Sequence, residues 1–412
     1  MAVIRESEKC WLVDHSLALS YQVGDVRYVA DPRLFHVCKP HINSKNIIGD
    51  ADPNASPRSK KRRKGSYIRD QEKISDNAKR FQRLIVDVLN DLDISTLSSN
   101  NQSLVSSKSE CQFAVDKEAC AVKRKRGCVL PTMNLNTEYN IVTMLHTSCN
   151  TFSTEERQIN GDISLDHQAI FKRMIRNNSQ KSCLLSAFGD SFIIPQKSSF
   201  VISDIADIQY LVSFNRQYDL IVVDPPWENK SLKRSKRYYW LDHTDMESIP
   251  ISTLLKPGGI VAVWVTNKQK LIDFVTGDLF RKWNLNLAGV WYWLKVTTNG
   301  EYVFPPDSIH KKPYEPLIIG RHNPDRIVKS GKSFSHDISS SQGMALPFEK
   351  FICSVPSRIH SQKPPLNEVM QPFLPKEPSC LELFARSLIP CWTSWGNETI
   401  QFQSIRYFVE CE

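Results

Sequence analysis

The sequence predicts an α/β protein whose mainly parallel sheet is covered by helices on both faces. Three observations lead there. Leu220 to Val223 is a short continuous apolar run rich in β-branched residues, the pattern of a strand buried on both faces. Similar runs recur at IVAVWV (260–265), PLIIGR (316–321), KFICSV (350–355) and CLELF (380–384). Stretches read as helices fall between several of them, near 244–255 and 267–283, and that alternation builds parallel sheets.

In chain order, residues 1–40 hold short apolar pieces such as Cys10 to Val13 and read as an N-terminal cap. RSKKRRK (58–64) carries six cations in seven positions. It cannot bury itself, so it reads as a solvated linker that also suits nuclear import. Phe81, Leu84, Ile85, Val88 and Leu92 recur at three- and four-residue steps and predict a helix over 75–92. Ser98–Lys108 is rich in polar residues and reads as loose chain, and KRKR (123–126) is a second, shorter basic run. A helix is expected over 162–176, with Ile170, Phe171, Met174 and Ile175 inward.

From Ser182 the texture changes. CLLSAFGDSFIIP reads as a hairpin turning at Gly189-Asp190. SSFVISDI (198–205) gives a strand ending at Asp204, and LAGVWYWLKV (287–296) a long one. FQSIRYFV (402–409) is expected to close the sheet, and 322–348 to be a polar surface insertion. The division expected is an N-terminal region, 1–165, with linker and helices, and a larger domain, 166–412.

Composition sets bounds. Hydrophobic residues make up 41%, enough for a substantial core, while the net charge of +9 suits a polyanionic partner. Eleven cysteines include no Cys-x-x-Cys pair and no Cys/His cluster at zinc spacing, so reduced thiols and no metal site are expected. The first residues do not read as a signal peptide, and no stretch approaches the roughly 20 apolar residues that span a membrane.

The chemistry centres on YDLIVVDPPW (218–227). Pro225 and Pro226 lack the N–H a ladder needs, so the strand ends and delivers Asp224 at its carboxyl edge, where open α/β sheets bind ligands. An exocyclic aromatic amine is a poor nucleophile because its lone pair is delocalised into the ring. Asp224 and the Pro225 carbonyl could each accept one amine hydrogen and free that lone pair, with the prolines holding the turn stiff. Trp227 offers a flat face for an unstacked base. The plain alternative is an ordinary strand ending in an Asp-Pro turn; the strand before and the tryptophan after favour the functional reading.

Asp-Pro-Pro-Trp in this setting resembles the adenine-N6 methyltransferase family typified by the catalytic subunit of the mRNA methyltransferase. The likeness extends to NKSLKRSKRYYWL (229–241), TNKQK (266–270), HKKPYEPLIIGR (310–321), HSQKPPL (360–366), LELFAR (381–386) and WTSWGNE (392–398). It implies a circularly permuted Rossmann-like S-adenosylmethionine methyltransferase sheet, because LELFAR, which resembles the first strand and the loop beneath the donor, follows Asp224 in the chain. It also implies S-adenosyl-L-methionine as cofactor. Asp204 and Ile205 would meet the donor's adenine, Lys363 its carboxylate, and Arg386, Asn397 and Glu398 the ribose and neighbouring polar atoms. Glu382, Leu383 and Phe384 would line the donor loop. Ser387-Leu388-Ile389 stand where the mRNA enzyme has a His-Asn pair after the arginine, a departure on the donor-carboxylate side.

On the acceptor side, Lys230, Lys233, Arg234, Lys236 and Arg237 precede Tyr238, Tyr239 and Trp240. Cations for phosphates and aromatics such as Tyr239 for base faces are what single-stranded nucleic acid requires. A solvated charged face is the plain alternative. Asn229 is placed to touch the target base or sugar, and Lys312 and Glu315 belong to a second loop, Glu315 near the active site by resemblance. The expectation is a nuclear adenine-N6 methyltransferase acting on RNA. The resemblance points to 2′-O-methyladenosine of U2-type small nuclear RNA, with DNA adenine or a non-catalytic RNA-binding partner role as alternatives. No obligatory protein partner is evident.

Overall fold

A computed structural model describes residues 2–38, 40, 83–88, 141–148, 151–227, 243–305, 308, 311–322, 344–359 and 362–411. The chain opens with β1 (Val3–Glu6), β2 (Cys10–Val13), α1 (His15–Ala18), β3 (Ser20–Val23) and β4 (Val26–Ala30). After a gap in the described residues come β5 (Arg157–Ile159), β6 (Ile163–Ser164), β7 (Met174–Asn177), β8 (Cys183–Ala187), β9 (Asp190–Ile194) and β10 (Ser199–Ile202). The site-bearing strands follow: β11 (Tyr218–Val223), β12 (Leu255–Trp264), β13 (Leu285–Lys295) and β14 (Tyr314–His322). Last are β15 (Glu349–Ser354), β16 (Cys380–Leu383), β17 (Trp392–Gly396) and β18 (Phe408–Cys411).

Among the described residues the main sheet has twelve strands in the order β1-β2-β15-β13-β14-β12-β11-β16-β17-β10-β7-β5. Its centre, β12-β11-β16-β17-β10, is parallel throughout. β14 runs antiparallel between β12 and β13. The LELF strand β16 therefore pairs with β11 although it follows it by some 160 positions, the spatial order that a permuted sheet requires. Central burial explains the sequence texture. Leu220, Ile221 and Val223 are fully buried and Val222 nearly so, with Ile221 and Val223 facing one core and Leu220 and Val222 the other.

One face is covered by the helical segments Gln209–Ser213, His243–Ser248, Ile251–Leu254 and a continuous run from Gln269 to Lys282. That run contains a π-helical stretch at Phe274–Leu279, which holds Phe274, Val275 and Leu279 against the core. The other face, to which Trp11 and Val13 of β2 contribute, packs on the helix Asn367–Met370 and the turn Gln371–Phe373 that follows it. No described helix is long and apolar enough to cross a membrane. The described residues also hold no group of three His, Cys, Asp or Glu placed for a metal.

Several expectations are corrected. The helix over 162–176 is a single turn, His167–Ile170, followed by the strand β7. The four apolar residues are buried as expected, but the adjacent pair Met174 and Ile175 point to opposite faces of a sheet, into two different cores. The hairpin turns at Phe188-Gly189, one residue earlier than expected, with Ala187 opposite Asp190. Both turn residues have positive φ, 53° and 71°, as a two-residue hairpin turn matched to strand twist demands. FQSIRYFV does not close the main sheet. It forms two short 3-10 turns and then β18, which pairs with β4 in a separate three-stranded sheet. WTSWG, read only as a motif, is the strand β17.

The N-terminal cap is part of the main sheet, because β2 pairs in parallel with β15. The sheet thus crosses the expected 165/166 boundary. Of the 75–92 helix, 83–88 is described, with Ile85 and Val88 buried against Leu12 and Leu294. The basic runs at 58–64 and 123–126, the polar stretch 98–108 and most of the 322–348 insertion lie outside the described residues.

Candidate active site

The carboxyl ends of β11, β16, β17 and β10 share one edge because these strands are parallel and adjacent. Asp224 leaves β11 there. Its N–H donates to the carbonyl of Leu383, the last residue of β16, at 3.3 Å, which carries the ladder one step beyond the end of β11 and ties the Asp224 backbone to the sheet edge. The Trp227 N–H donates to the Pro225 carbonyl at 2.8 Å, which closes the turn and leaves that oxygen a second lone pair. The Trp227 indole N–H donates to the Trp264 carbonyl at 2.7 Å, and the ring is only 8% exposed within the core. This corrects the expected open stacking face: Trp227 anchors the turn to β12.

Around Asp224 the structure assembles a chain of alternating charge. Lys363 Nζ lies 2.9 Å from Asp224 Oδ1 and 3.4 Å from Glu315 Oε2. Arg386 reaches Asp224 Oδ2 at 3.2 Å and lies over the Phe402 ring. Lys295 of β13 pairs with the other Glu315 oxygen. The Lys363 ammonium also sits 5.8 Å from the Trp264 ring centre, a cation–π distance. Burial works against the Lys363 charge, but Asp224 and Glu315 prevail and raise its pKa. Burial would likewise raise Glu315, yet Lys363 and Lys295 lower it to about 2. Glu315 thus holds Lys363 in place and stays ionised.

Glu382 has the opposite environment. It projects from β16 into the cleft that Asp224, Lys363 and Arg386 also line, and its Oε2 is shielded without a hydrogen-bond partner. Burial, followed by the charge of Asp224, raises its pKa to about 8 against the opposing pull of Arg386 and Lys363. It is therefore largely protonated at neutral pH.

The other expected donor residues are distributed along the same edge. Asp204 follows β10 and caps the turn Ile205–Asp207, its Oδ1 accepting from the Ala206 N–H at 2.9 Å. Its carbonyl accepts from the Trp395 indole. Asn397 and Glu398 follow β17, both partly exposed. Leu383 is corrected: its side chain is fully buried in the core, so only its backbone serves the site. Phe384 adopts φ 61°, a left-handed conformation uncommon without glycine, as the chain turns off β16. There it passes so close to β17 that a Cβ on Gly396 would meet the Ala385 carbonyl oxygen at 2.6 Å.

The expected acceptor residues Asn229, Lys230, Lys233, Arg234, Lys236, Arg237 and Tyr239 lie outside the described residues. Lys312 is described at the entry to β14, two residues before the strand that carries Glu315. Sequence reasoning missed Lys295, which the long strand β13 places diagonally from Glu315, two residues beyond Trp293, and Gln362 and His15, which line the cleft. Nothing local in the sequence marks them; Gln362 stood inside a quoted motif but beside a more conspicuous lysine.

Comparison with known proteins falls on the same residues. The family model described as MT-A70 matches 218–398, from the first residue of β11 to Glu398. The N(6)-adenine-specific methyltransferase METTL4 of Homo sapiens is 42% identical over 251 residues, covering 61% of this chain and 52% of that protein. The N6-methyladenosine RNA methyltransferase MTA1 of Pyricularia oryzae is 34% identical over 233 residues, 54% of this chain and 57% of that one. The DNA N6-methyl methyltransferase of Caenorhabditis elegans is 35% identical over 222 residues, 53% and 56% respectively. The chain thus spans a little over half the length of these relatives. The matched span begins on the strand that delivers Asp224 and takes in Lys363, Glu382 and Arg386, so the residues of the cleft are the ones over which this chain matches the MT-A70 family model.

Proposed function

We propose that the chain is an S-adenosylmethionine-dependent methyltransferase acting on the N6 amine of adenine in nucleic acid. The observation that carries this reading is Asp224, ordered by Pro225, Pro226 and Trp227 at the edge of an MT-A70 domain and held between two cations in a cleft. The residues suit the donor. A cleft with cations at Lys363 and Arg386 and shielded, unmet oxygens on Glu382 and Gln362 offers partners for a zwitterion. Asp204 and Ile205 at the end of β10, and Asn397 and Glu398 at the end of β17, would hold the adenosine portion. When bound, the donor supplies an electrophilic methyl group on a sulfonium.

The chain's own part is alignment. Lys363 and Arg386 each take one Asp224 oxygen, and each carboxylate oxygen keeps further acceptor capacity for an amine hydrogen. The second lone pair of the Pro225 carbonyl offers the other acceptor. Two such acceptors draw the amine toward tetrahedral geometry without a strong base, and the stiff turn requires little reorganisation. The Glu315–Lys295 pair anchors Lys363 from behind.

For the substrate we favour 2′-O-methyladenosine in small nuclear RNA. Adenine in DNA is the second reading, favoured by the likeness to the Caenorhabditis elegans protein. The basic-aromatic stretch from Asn229 to Trp240 would hold the strand, and the run at 58–64 would direct the chain to the nucleus. The test is methyl transfer from labelled donor to matched RNA and DNA oligonucleotides, each with and without the target 2′-O-methyl group. Preference for the 2′-O-methylated RNA is expected; equal or greater transfer to DNA would replace the RNA reading. No transfer to any of them would overturn the proposal.

A further inference from the structure

β11 divides the sheet edge in two. β16, β17 and β10, which deliver Glu382, Asn397 and Asp204, lie on one side of it, and β12 and β14 on the other. β12 runs parallel to β11 with Val223 opposite Val263, so it leaves the sheet at the same edge as Asp224. The residues after Trp264 therefore emerge beside the turn whose Trp227 indole donates to the Trp264 carbonyl. That exit is fastened down. The Val265 N–H donates to the Pro316 carbonyl at 3.0 Å, and Asn267 Nδ2 to the Tyr314 carbonyl at 2.6 Å. The motif TNKQK (266–270) is thus tied to the start of β14, into which Lys311 and Lys312 lead.

The charge on this side is one-signed. The stretches 264–272 and 308–314 hold four lysines, Lys268, Lys270, Lys311 and Lys312, and no carboxylate, so the surface they share is cationic. Lys268, Lys270 and Lys311 are exposed. The next carboxylates along the chain are engaged: Asp273 accepts from Gln269 Nε2 at 2.9 Å, and Glu315 is taken by Lys295 and Lys363. Lys311 Nζ lies 5.2 Å from the centre of the Phe304 ring, a cation beside a flat apolar face. A separate observation concerns Thr266. Its Oγ1 is shielded and has no partner, two residues past the carbonyl that holds Trp227. A shielded hydroxyl is costly to leave unmet.

We propose that Lys268, Lys270 and Lys311, with Phe304 and Thr266, form a second nucleic-acid contact that holds the nucleotides flanking the target adenine. It rests on the reading of the substrate as nucleic acid and adds residues outside the 229–240 stretch. Exposed cations on fastened backbone suit phosphates, which position a strand without reading its sequence. Phe304 offers a ring to a flanking base, as single strands require. The Thr266 hydroxyl both gives and accepts, and so meets a ribose hydroxyl or a base edge. An acidic peptide would meet the cations and leave the Thr266 hydroxyl, beside the catalytic turn, without a reason.

The test is fluorescence anisotropy of the full chain with a labelled single-stranded RNA that carries one target adenine, at several salt concentrations. Lys268→Ala combined with Lys270→Ala should weaken binding several-fold and flatten the log–log salt slope by about 1.4, roughly 0.7 for each phosphate no longer neutralised. Lys268→Arg combined with Lys270→Arg should restore both. Thr266→Val should weaken binding several-fold with the slope unchanged. Calorimetry with S-adenosylmethionine should give wild-type affinity for every variant, which reports that the fold and the donor side are intact. An alanine variant with wild-type slope and affinity would overturn the proposal, as would donor binding lost in step with RNA binding. Weaker binding of a polyglutamate peptide with RNA binding unchanged would assign the surface to an acidic partner and overturn it as well. The two readings fail separately. A lysine-dependent RNA slope in a protein that transfers no methyl group keeps the contact and overturns the methyltransferase reading. Methyl transfer by wild type with RNA binding unchanged in the alanine variant does the reverse.

Discussion

Replacing Glu382 with glutamine tests the electrostatics of the cleft without any ligand. The folded carboxyl has its pKa raised from 4.5 to about 8, first by burial and then by Asp224. An unfolded glutamate loses its proton near 4.5, whereas the folded one keeps it to about 8. Between those values the native state binds more protons than the unfolded state, so this group makes stability fall as pH rises. Each pH unit inside the window is worth about 1.4 kcal/mol, an upper bound of about 5 kcal/mol across it, and relaxation of the site reduces this to about 2–3 kcal/mol. The groups that act on Glu382 are Asp224, Arg386 and Lys363, and the nearby His15 stays neutral because burial lowers its pKa to about 3. Glu382→Gln does not titrate, so its stability advantage over wild type should grow from pH 5 to pH 8 and level off above. Urea unfolding of both proteins at each pH unit measures it. A difference that does not change with pH would refute the argument.

The remaining predictions address other parts of the site. Asp224→Ala should lower methyl transfer on the order of 100-fold or more and leave donor binding within a few-fold, because the lost acceptor serves the amine; near-normal turnover would sink the assignment. Glu315, held ionised with a pKa lowered to about 2, contributes stability above pH 4.5 that is lost as pH falls through 2. The deficit of Glu315→Gln in thermal melts should therefore shrink between pH 4.5 and pH 2. Gly396→Ala places a Cβ 2.6 Å from the Ala385 carbonyl oxygen, where backbone must move, and should cost about 1–3 kcal/mol in chemical unfolding. Changing Lys233, Arg234 and Lys236 to Ala should weaken RNA binding and flatten its log–log salt slope by roughly 0.7 for each phosphate no longer neutralised. Tyr239→Ala should weaken binding by about 1–3 kcal/mol with that slope unchanged. Equal slopes for the triple variant and wild type would leave the loop as ordinary surface.

Much of the central sheet was legible. Runs such as IVAVWV and PLIIGR are short, continuous and rich in β-branched residues, the composition that favours a strand buried on both faces, and they fall in β12 and β14. The misreadings share a cause. Ile170, Phe171, Met174 and Ile175 fit a helical period, but paired apolar residues equally suit a strand between two cores, and local spacing does not separate the two cases. WTSWG carries three polar or small residues among its five, and it becomes a strand because it lies between β16 and β10 with both flanks paired.

The site divides along the same line. Asp224 was evident from sequence because two prolines force a strand end wherever they follow such a run, a property of adjacent residues. Trp227 was evident as a motif member, but whether its ring would be open or buried depended on Trp264, 37 positions later. The distant partners came only with the tertiary structure. Lys295 meets Glu315 because β13 and β14 pair with Trp293 opposite Glu315, which sets Lys295 on the diagonal, and Lys363 reaches Asp224 from a loop some 140 positions later. His15 reaches the cleft because β2 adds to β15 at the far side of the sheet. Sequence by itself determined the continuous apolar strands such as β11 and β12 and where the turn at Asp224 must fall, since apolar runs and proline geometry act between neighbours. Which charges meet, and so which carboxyl is ionised and which is protonated, only the tertiary structure decided, because electrostatic energy depends on distance through space and on exclusion of water.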